Sequence, residues 1–352
     1  MTRIKGRGAA SNREGRFESV RREAVDDGWF PEAPHEATRP PTTVTEERAH
    51  GIVSRNASPD VPFEQSINPY RGCEHGCIYC YARPSHAYLN LSPGLDFETR
   101  LFAKSNAAGL LRDTLAKRGY RPSPITLGAN TDPYQPIEKR WRITRQLLEL
   151  LAEARHPCTI ITKSAMVERD LDLLAGLARD GLVAVLVSVT SLDNRLSAKL
   201  EPRASAPHRR LQAIRALSAA GVPTGVLVSP VIPMVTDVDL EEILAQARTA
   251  GATQASYAIV RLPGEVAELF REWLEEHLPE RAAHVMSLVQ QMRGGRDNDP
   301  RFGVRMKGEG VFAELIARRF KVATRRLGFL QGEAYDLRCD LFRAPGPQGS
   351  LF

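Results

Sequence analysis

The sequence predicts an α/β fold built on a parallel sheet. Short apolar runs rich in β-branched residues alternate with stretches carrying apolar residues at helical spacing, one pair about every 30–35 residues. At 352 residues and 42% hydrophobic, the chain can also bury a substantial core. Periodicity alone does not separate an open doubly wound sheet from a barrel.

Residues 1–60 are rich in Arg, Glu, Pro, Thr and Ser and show little apolar periodicity, so they are expected to be a disordered or loosely docked extension. Gly28-Trp29-Phe30-Pro31 is an exception that could dock. A core domain is expected over 61–295. Its first clear strand is Ile125–Ala129, ending in a polar turn, followed by a helix over Arg142–Ala154 with Ile143, Leu147, Leu148, Leu150 and Leu151 on its apolar side. Cys158–Thr162 is the next strand, and Leu171, Leu173, Leu174 and Leu177 mark the helix after it. Leu182–Val189 reads as a fully buried strand. The helix His208–Ala220 stops at Gly221, and Val238–Ala250 stops at Gly251, with the strands Thr224–Ser229 and Ser256–Val260 after and between them in the same alternation. Residues 263–295 look helical. The cluster from Gly294 to Pro300 breaks the pattern, and a C-terminal extension over 296–352 holds a basic helix around Phe312–Phe320 and a loose tail after Arg343.

The chemistry concentrates in Arg71-Gly72-Cys73-Glu74-His75-Gly76-Cys77-Ile78-Tyr79-Cys80-Tyr81. Three thiols separated by three and then two residues can be aimed from one loop at a common centre. Three thiolates can hold three irons of a [4Fe–4S] cluster and leave the fourth iron without a protein ligand. That open position is what a catalytic metal site needs. The spacing favours this over structural zinc, which would take His75 or His86 as a fourth ligand but usually draws on two separate ligand pairs. Cys158, in an apolar run, reads as a core thiol, and Cys339 as incidental.

This spacing, with Tyr79 before the third cysteine, resembles the signature of radical S-adenosylmethionine (SAM) enzymes. Ser66-Ile67-Asn68-Pro69-Tyr70-Arg71, Tyr81-Ala82-Arg83-Pro84, Thr131-Asp132-Pro133-Tyr134-Gln135-Pro136-Ile137-Glu138 and Ile161-Thr162-Lys163-Ser164 resemble the spore photolyase-like branch. The resemblance implies a partial (βα)6 barrel of the TIM type, a [4Fe–4S] cluster on Cys73, Cys77 and Cys80, and SAM as its companion. It also implies reductive SAM cleavage to a 5′-deoxyadenosyl radical, and a flavodoxin- or ferredoxin-like electron donor.

In such barrels function gathers at the C-terminal ends of strands. Asn130, Thr131 and Asp132, then Thr162, Lys163 and Ser164, then Ser188, Thr190 and Ser191 fall there. Five residues are expected to contact SAM. Tyr79 is fixed near the cofactor by its place between two ligands. Thr131 and Asp132 could accept from the methionine ammonium, although Asp-Pro is also a common turn pair. Lys163 could pair with the SAM carboxylate, since a buried Lys needs a partner. Ser188 shares one face of its strand with Thr190 and could turn inward. Arg203, Arg209 and Arg210 could hold a phosphate or that carboxylate, His86 and Tyr88 could line a substrate cavity, and Tyr134 could be a substrate platform on a loop stiffened by two prolines.

The net charge of +6 and pI near 9.2 permit an anionic partner such as DNA or RNA without requiring one. No run approaches a membrane span and the start lacks a signal's apolar core, so a cytoplasmic protein is expected. Lesion repair in the branch uses a hydrogen-donor cysteine near the second-strand loop, and here 128–133 holds none. The alternatives are therefore a radical SAM enzyme acting on RNA, a peptide or a small molecule, and a non-catalytic metal- or cluster-containing nucleic-acid-binding protein.

Overall fold

A computed structural model describes residues 6–17, 40–330, 332 and 335–346. Gly28–Pro31 lies outside the described residues, and the tail is described only to residue 346. Ten strands occur in the order β1 (Thr43–Glu47), β2 (Val53–Arg55), β3 (Gln65–Ile67), β4 (Tyr70–Arg71), β5 (Arg100–Lys104), β6 (Ile125–Leu127), β7 (Cys158–Thr162), β8 (Val183–Ser188), β9 (Thr224–Val231) and β10 (Gln254–Ile259). β3, β6, β7, β8, β9 and β10 are neighbours in that order and run parallel, with β2 antiparallel outside β3. Helices connect successive strands from β6 onward, which makes the partial (βα)6 barrel. A smaller sheet, β1-β5-β4, packs beside it.

The inner strands are covered on both faces, which is why they read as continuous apolar runs. Val183, Ala184, Val185 and Val187 of β8 are all fully buried. The helix Ile143–Glu153 buries the five apolar residues its spacing marked, and Pro207–Ala219 and Leu240–Thr249 bury theirs likewise. The helical stretch expected over 263–295 is two helices, Val266–His277 and Pro279–Gln291. Pro279 lacks the N–H needed to continue the first, so it opens the second.

The expectation of a loose extension over residues 1–60 needs correcting for its described parts. β1 pairs in parallel with β5 over five residues, and β2 pairs antiparallel with β3. Residues 6–17 dock by hydrogen bonds and charge: Gly8 and Ala9 N–H donate to Glu98 at 2.9 Å each, and Arg13 and Arg16 pair with Glu272, Glu268 and Glu265 on one helix. The C-terminal region also folds back. Met306 C=O accepts from Ile259 N–H at 2.8 Å, and buried Arg293 donates to the carbonyls of Val304, Arg305 and Val260.

At the opposite, N-terminal end of the barrel, residues 338–343 cross the strand starts. Arg338 N–H donates to Gly181 C=O, and Arg343 N–H to Ala154 C=O. Phe342 packs edge-on against buried His156, whose ring lies 2.8 Å from the Tyr120 hydroxyl and 2.9 Å from Pro157 C=O. Burial lowers His156 from 6.5 to about 4, outweighing the Pro157 bond. Pro157 C=O takes the Nδ1 hydrogen, which leaves the neutral ring's Nε2 beside the Tyr120 hydroxyl, and a second proton would put a charge in this buried site. The unfolded chain binds that proton first, so stability is full above about pH 6.5 and falls as pH drops towards 4, by on the order of 3 kcal/mol. Urea unfolding between pH 7.5 and 4.5 should show this slope in the wild type and a shallower one in His156→Gln. Equal slopes would place the titration elsewhere.

Candidate active site

The cysteine loop lies across the C-terminal ends of the strands, held from below and from the side. Arg83 is fully buried and donates to Cys77 C=O at 2.9 Å, Gly76 C=O at 3.0 Å, Pro93 C=O at 3.0 Å and Gly94 C=O at 2.8 Å. It also pairs with buried Glu98 at 3.0 Å. Gln135 grips the loop's other edge, accepting from Glu74 N–H at 2.8 Å and donating to Gly72 C=O at 3.1 Å. Gly76 has φ +67°, and a Cβ there would sit 2.3 Å from Glu98 Oε2, so the turn between the first two cysteines requires glycine.

Cys73, Cys77 and Cys80 are free thiols that line a cavity of about 520 Å³. From the barrel it is lined by Gly128, Ala129, Asn130 and Asp132 after β6, Lys163 after β7, Ser188 of β8 and Ser229 of β9. Tyr81, Arg261, Arg305 and Met306 complete another side. Burial raises all three thiols. The backbone amides of Ala82 and Arg83 face the Cys80 sulfur and that of Asp132 faces Cys73, while Lys163 favours thiolate at Cys77 and Cys80. These donors suit sulfurs that a metal would deprotonate. Among the described residues no three His, Cys, Asp or Glu side chains close on a single metal-ion position. A polynuclear cluster takes each sulfur to a different iron and needs no such convergence. His86 is not among the residues that line this cavity; its Nε2 lies 2.9 Å from Arg100 C=O and its ring packs on Phe97 and Phe102.

Of the residues expected to touch SAM, Tyr79, Asp132, Lys163 and Ser188 line the cavity and Thr131 does not. Thr131 is buried, with its hydroxyl donating to Tyr70 C=O at 3.0 Å, so it fastens the loop. Asp132 is spent within the fold. It accepts from the Thr162 hydroxyl at 2.7 Å, Tyr134 N–H at 2.9 Å and Lys163 N–H at 2.7 Å, and lies 3.4 Å from His75 Nδ1. Burial would raise its carboxyl, but His75 and these donors hold it below its usual value. Gly128 has φ +93°, and a Cβ would meet Ile161 C=O at 2.2 Å, which sets the close passage of this loop over β7.

Lys163 is also partnered. Its ammonium donates to Thr190 Oγ1 at 3.2 Å and Ser229 C=O at 3.0 Å and pairs with Glu201 Oε1 at 3.0 Å. Three bonds exhaust an ammonium's donors. Glu201 is the hub: fully buried, it accepts from the Tyr79 hydroxyl and from Thr190 at 2.7 Å, and it pairs with buried Arg210. Burial alone would raise the Glu201 carboxyl; Arg210 and then Lys163 outweigh that and hold it well below the usual carboxylate range. Arg210 therefore supports the network instead of holding a phosphate. Arg203 pairs with Glu74 at 2.8 Å and Arg209 with Glu168 at 3.4 Å. Tyr134 is fully buried with its hydroxyl on Asp170 at 3.0 Å, and Tyr88 is 74% exposed against Phe17, so neither lines the cavity.

Sequence reasoning assigned no role to Glu201 or to Arg261. A charged residue directly after the apolar run Ala258-Ile259-Val260 is the signal that could have found Arg261, since it sits at a strand's C-terminal end. Glu201 offers no such signal, because its surroundings are set by the side chains of Tyr79, Lys163, Thr190 and Arg210, which come from four separate places in the sequence.

Among the described residues no helix is long and apolar enough to cross a membrane. The Radical SAM superfamily family model matches residues 67–247. An uncharacterized protein of Mycobacterium tuberculosis (strain ATCC 25618 / H37Rv) is 38% identical over 233 residues, covering 66% of this chain and 68% of that protein. An uncharacterized protein of Methanocaldococcus jannaschii is 27% identical over 214 residues, 61% of this chain and 76% of its own. Among solved structures, spore photoproduct lyase complexed with dinucleoside spore photoproduct superposes with a TM-score of 0.58 at 15% identity, over 81% of this chain and 80% of that one. A mutant of that lyase with bound AdoMet and dinucleoside spore photoproduct gives 0.58 at 16% identity over 86% of each chain. At such identity the likeness is one of fold. The chain belongs to the radical SAM superfamily, whose enzymes use a [4Fe–4S] cluster and SAM.

Proposed function

We propose that Cys73, Cys77 and Cys80 hold a [4Fe–4S] cluster with one iron open, and that the protein is an enzyme that cleaves SAM reductively and abstracts hydrogen from a substrate in the adjoining cavity. The observation that carries this is three free thiols on one clamped loop, sharing a cavity with the C-terminal ends of the parallel strands β6 to β10. One-electron cleavage of SAM is the chemistry that cluster and cosubstrate supply when bound. The chain's own contribution is placement. Arg83 and Gln135 fix the loop, while the Tyr79–Glu201–Lys163 network fixes the cavity wall beside Cys77. Ser188 and Asn130 offer hydrogen-bonding groups to SAM from that wall. The surrounding side chains keep water from the reacting atoms. An intracellular flavodoxin- or ferredoxin-like protein would supply the electron.

The reading favours an anionic substrate, nucleic acid included, because the chain is basic and arginines line the cavity. It disfavours lesion repair through a donor cysteine. Cys158 opens β7 at the far end of the barrel, and Cys339 lies in the segment that crosses the strand starts there. Anaerobic reconstitution should yield about four irons and four sulfides per chain. Dithionite-reduced protein should then release 5′-deoxyadenosine from SAM. Stoichiometric zinc without iron after that treatment would instead favour a non-catalytic metal protein.

A further inference from the structure

We infer that the substrate carries an oxyanion, a phosphate or a carboxylate, and that Arg261 receives it in the cavity. The inference rests on the reading that this cavity is where SAM is cleaved.

Lysine or arginine lines the cavity at three positions: Lys163, Arg261 and Arg305. Lys163 is paired with Glu201, and Arg305 with Asp60, whose other oxygen accepts from Gly303 N–H at 2.6 Å. Among the described residues Arg261 forms no ion pair. Its Nη1 meets only the Met306 sulfur at 3.5 Å, a weak acceptor, and its Nε is buried with no hydrogen-bond partner. The guanidinium is partly withdrawn from water, and Asp60, the carboxylate that acts on it, lies beyond ion-pair distance and is already paired with Arg305, so an entering anion would relieve the cost of its burial.

The group is also held ready. Its Cζ lies 5.4 Å over the centroid of the Tyr81 ring, and the Tyr81 hydroxyl is tied to Ala129 C=O. Tyr81 directly follows Cys80, so the ring that supports the guanidinium belongs to the clamped cysteine loop. Arg261 itself lies two residues beyond the end of strand β10, and the nearby Met306 is fastened to Ile259. Both supports are rigid. A fork of N–H donors fixed in this way suits bidentate contact with a planar carboxylate or a phosphate. It would hold the rest of the substrate in the cavity that Arg261 shares with the three sulfurs.

The test uses the reconstituted full-length protein with SAM present, titrated calorimetrically with phenyl phosphate, with benzoate, and with neutral benzamide. At least one anion should bind the wild type tenfold or more tighter than Arg261→Gln, with Arg261→Lys between them and benzamide unaffected. Which anion responds separates phosphate from carboxylate. If Arg261→Gln does not fold, judged by circular dichroism, the lysine variant carries the comparison, since it keeps the charge and loses the fork. Equal anion affinity in wild type and variants, or no measurable binding of either anion to the wild type, would overturn the inference. So would a loss of SAM affinity with anion binding unchanged, which would assign Arg261 to the SAM carboxylate. Failure of the underlying reading shows separately, as wild-type protein without iron and without 5′-deoxyadenosine release, whatever the anion titrations give.

Discussion

Cys77→Ala should give a folded chain that retains no intact cluster and releases no 5′-deoxyadenosine. Cys77 is 7% exposed, and removing one sulfur leaves a small space. The loop's path does not depend on that side chain. Arg83 holds the Cys77 carbonyl, Leu200 C=O accepts from Ile78 N–H at 3.1 Å, and Gln135 holds the loop's start. The fold loss should therefore be small, about 1 kcal/mol, while the metal loss should be complete. Cys158→Ala is the matched control. That thiol is as buried, but it pairs in register with Ile125 and Val183 at the start of β7, the end remote from the cavity. It should lose a similar stability and keep iron, sulfide and SAM cleavage. Iron analysis and product release on both variants decide the matter. Cleavage retained by Cys77→Ala would remove it from the ligand set, and iron lost by Cys158→Ala would show that the assay reports on folding.

The fold was legible where residues are buried on both sides. β7 begins and ends where its apolar run does, and β8, β9 and β10 lie within two residues or so of the expected runs. The strands β2, β3 and β4 were not legible, because they are only two or three residues long and too short to show a period, whereas the equally short β6 was marked by its apolar run. β1, Thr43-Val44-Thr45-Glu46-Glu47, is largely exposed and carries a single aliphatic residue, which reads as coil. The docked segment 6–17 was hidden for a different reason. Its anchors are backbone amides on Glu98 and guanidinium pairs on one distant helix, and local composition carries no trace of either.

The site was legible in its covalent part and less so in its polar part. Spacing within one loop is a local property, and the three thiols do share a cavity. Whether Thr131, Asp132 or Lys163 faces a ligand or a neighbour depends on which partners arrive from elsewhere. Tyr70 takes Thr131, Thr162 and the Lys163 amide take Asp132, and Glu201 takes the Lys163 ammonium. The rule that a buried charge needs a partner was applied correctly to Lys163, and the partner turned out to be a protein carboxylate.

Glu201→Ala should then be among the most destabilising single changes in the chain, costing about 3–5 kcal/mol. The carboxylate stands between Arg210, which is almost fully buried, and Lys163, whose side chain is 17% exposed. Two cations and one anion already leave the cluster of charges with an excess of one positive charge. Removing the anion leaves both cations facing each other without a counterion, and frees the hydroxyls of Tyr79 and Thr190 as well. Lys163→Met acts on the same network with the opposite balance. It leaves the Glu201–Arg210 pair intact and neutral, and should cost only about 1–2 kcal/mol for the lost charged hydrogen bonds. The two variants thus separate a buried ion network from a solvated one, in which both changes would cost less than about 1 kcal/mol. Urea unfolding of the reconstituted proteins at pH 7.5, followed by tryptophan fluorescence, measures the difference. A Glu201→Ala variant within about 1 kcal/mol of wild type would mean that water reaches Arg210, and the wall beside Cys77 would then not be the dry, fixed surface on which the placement of SAM depends.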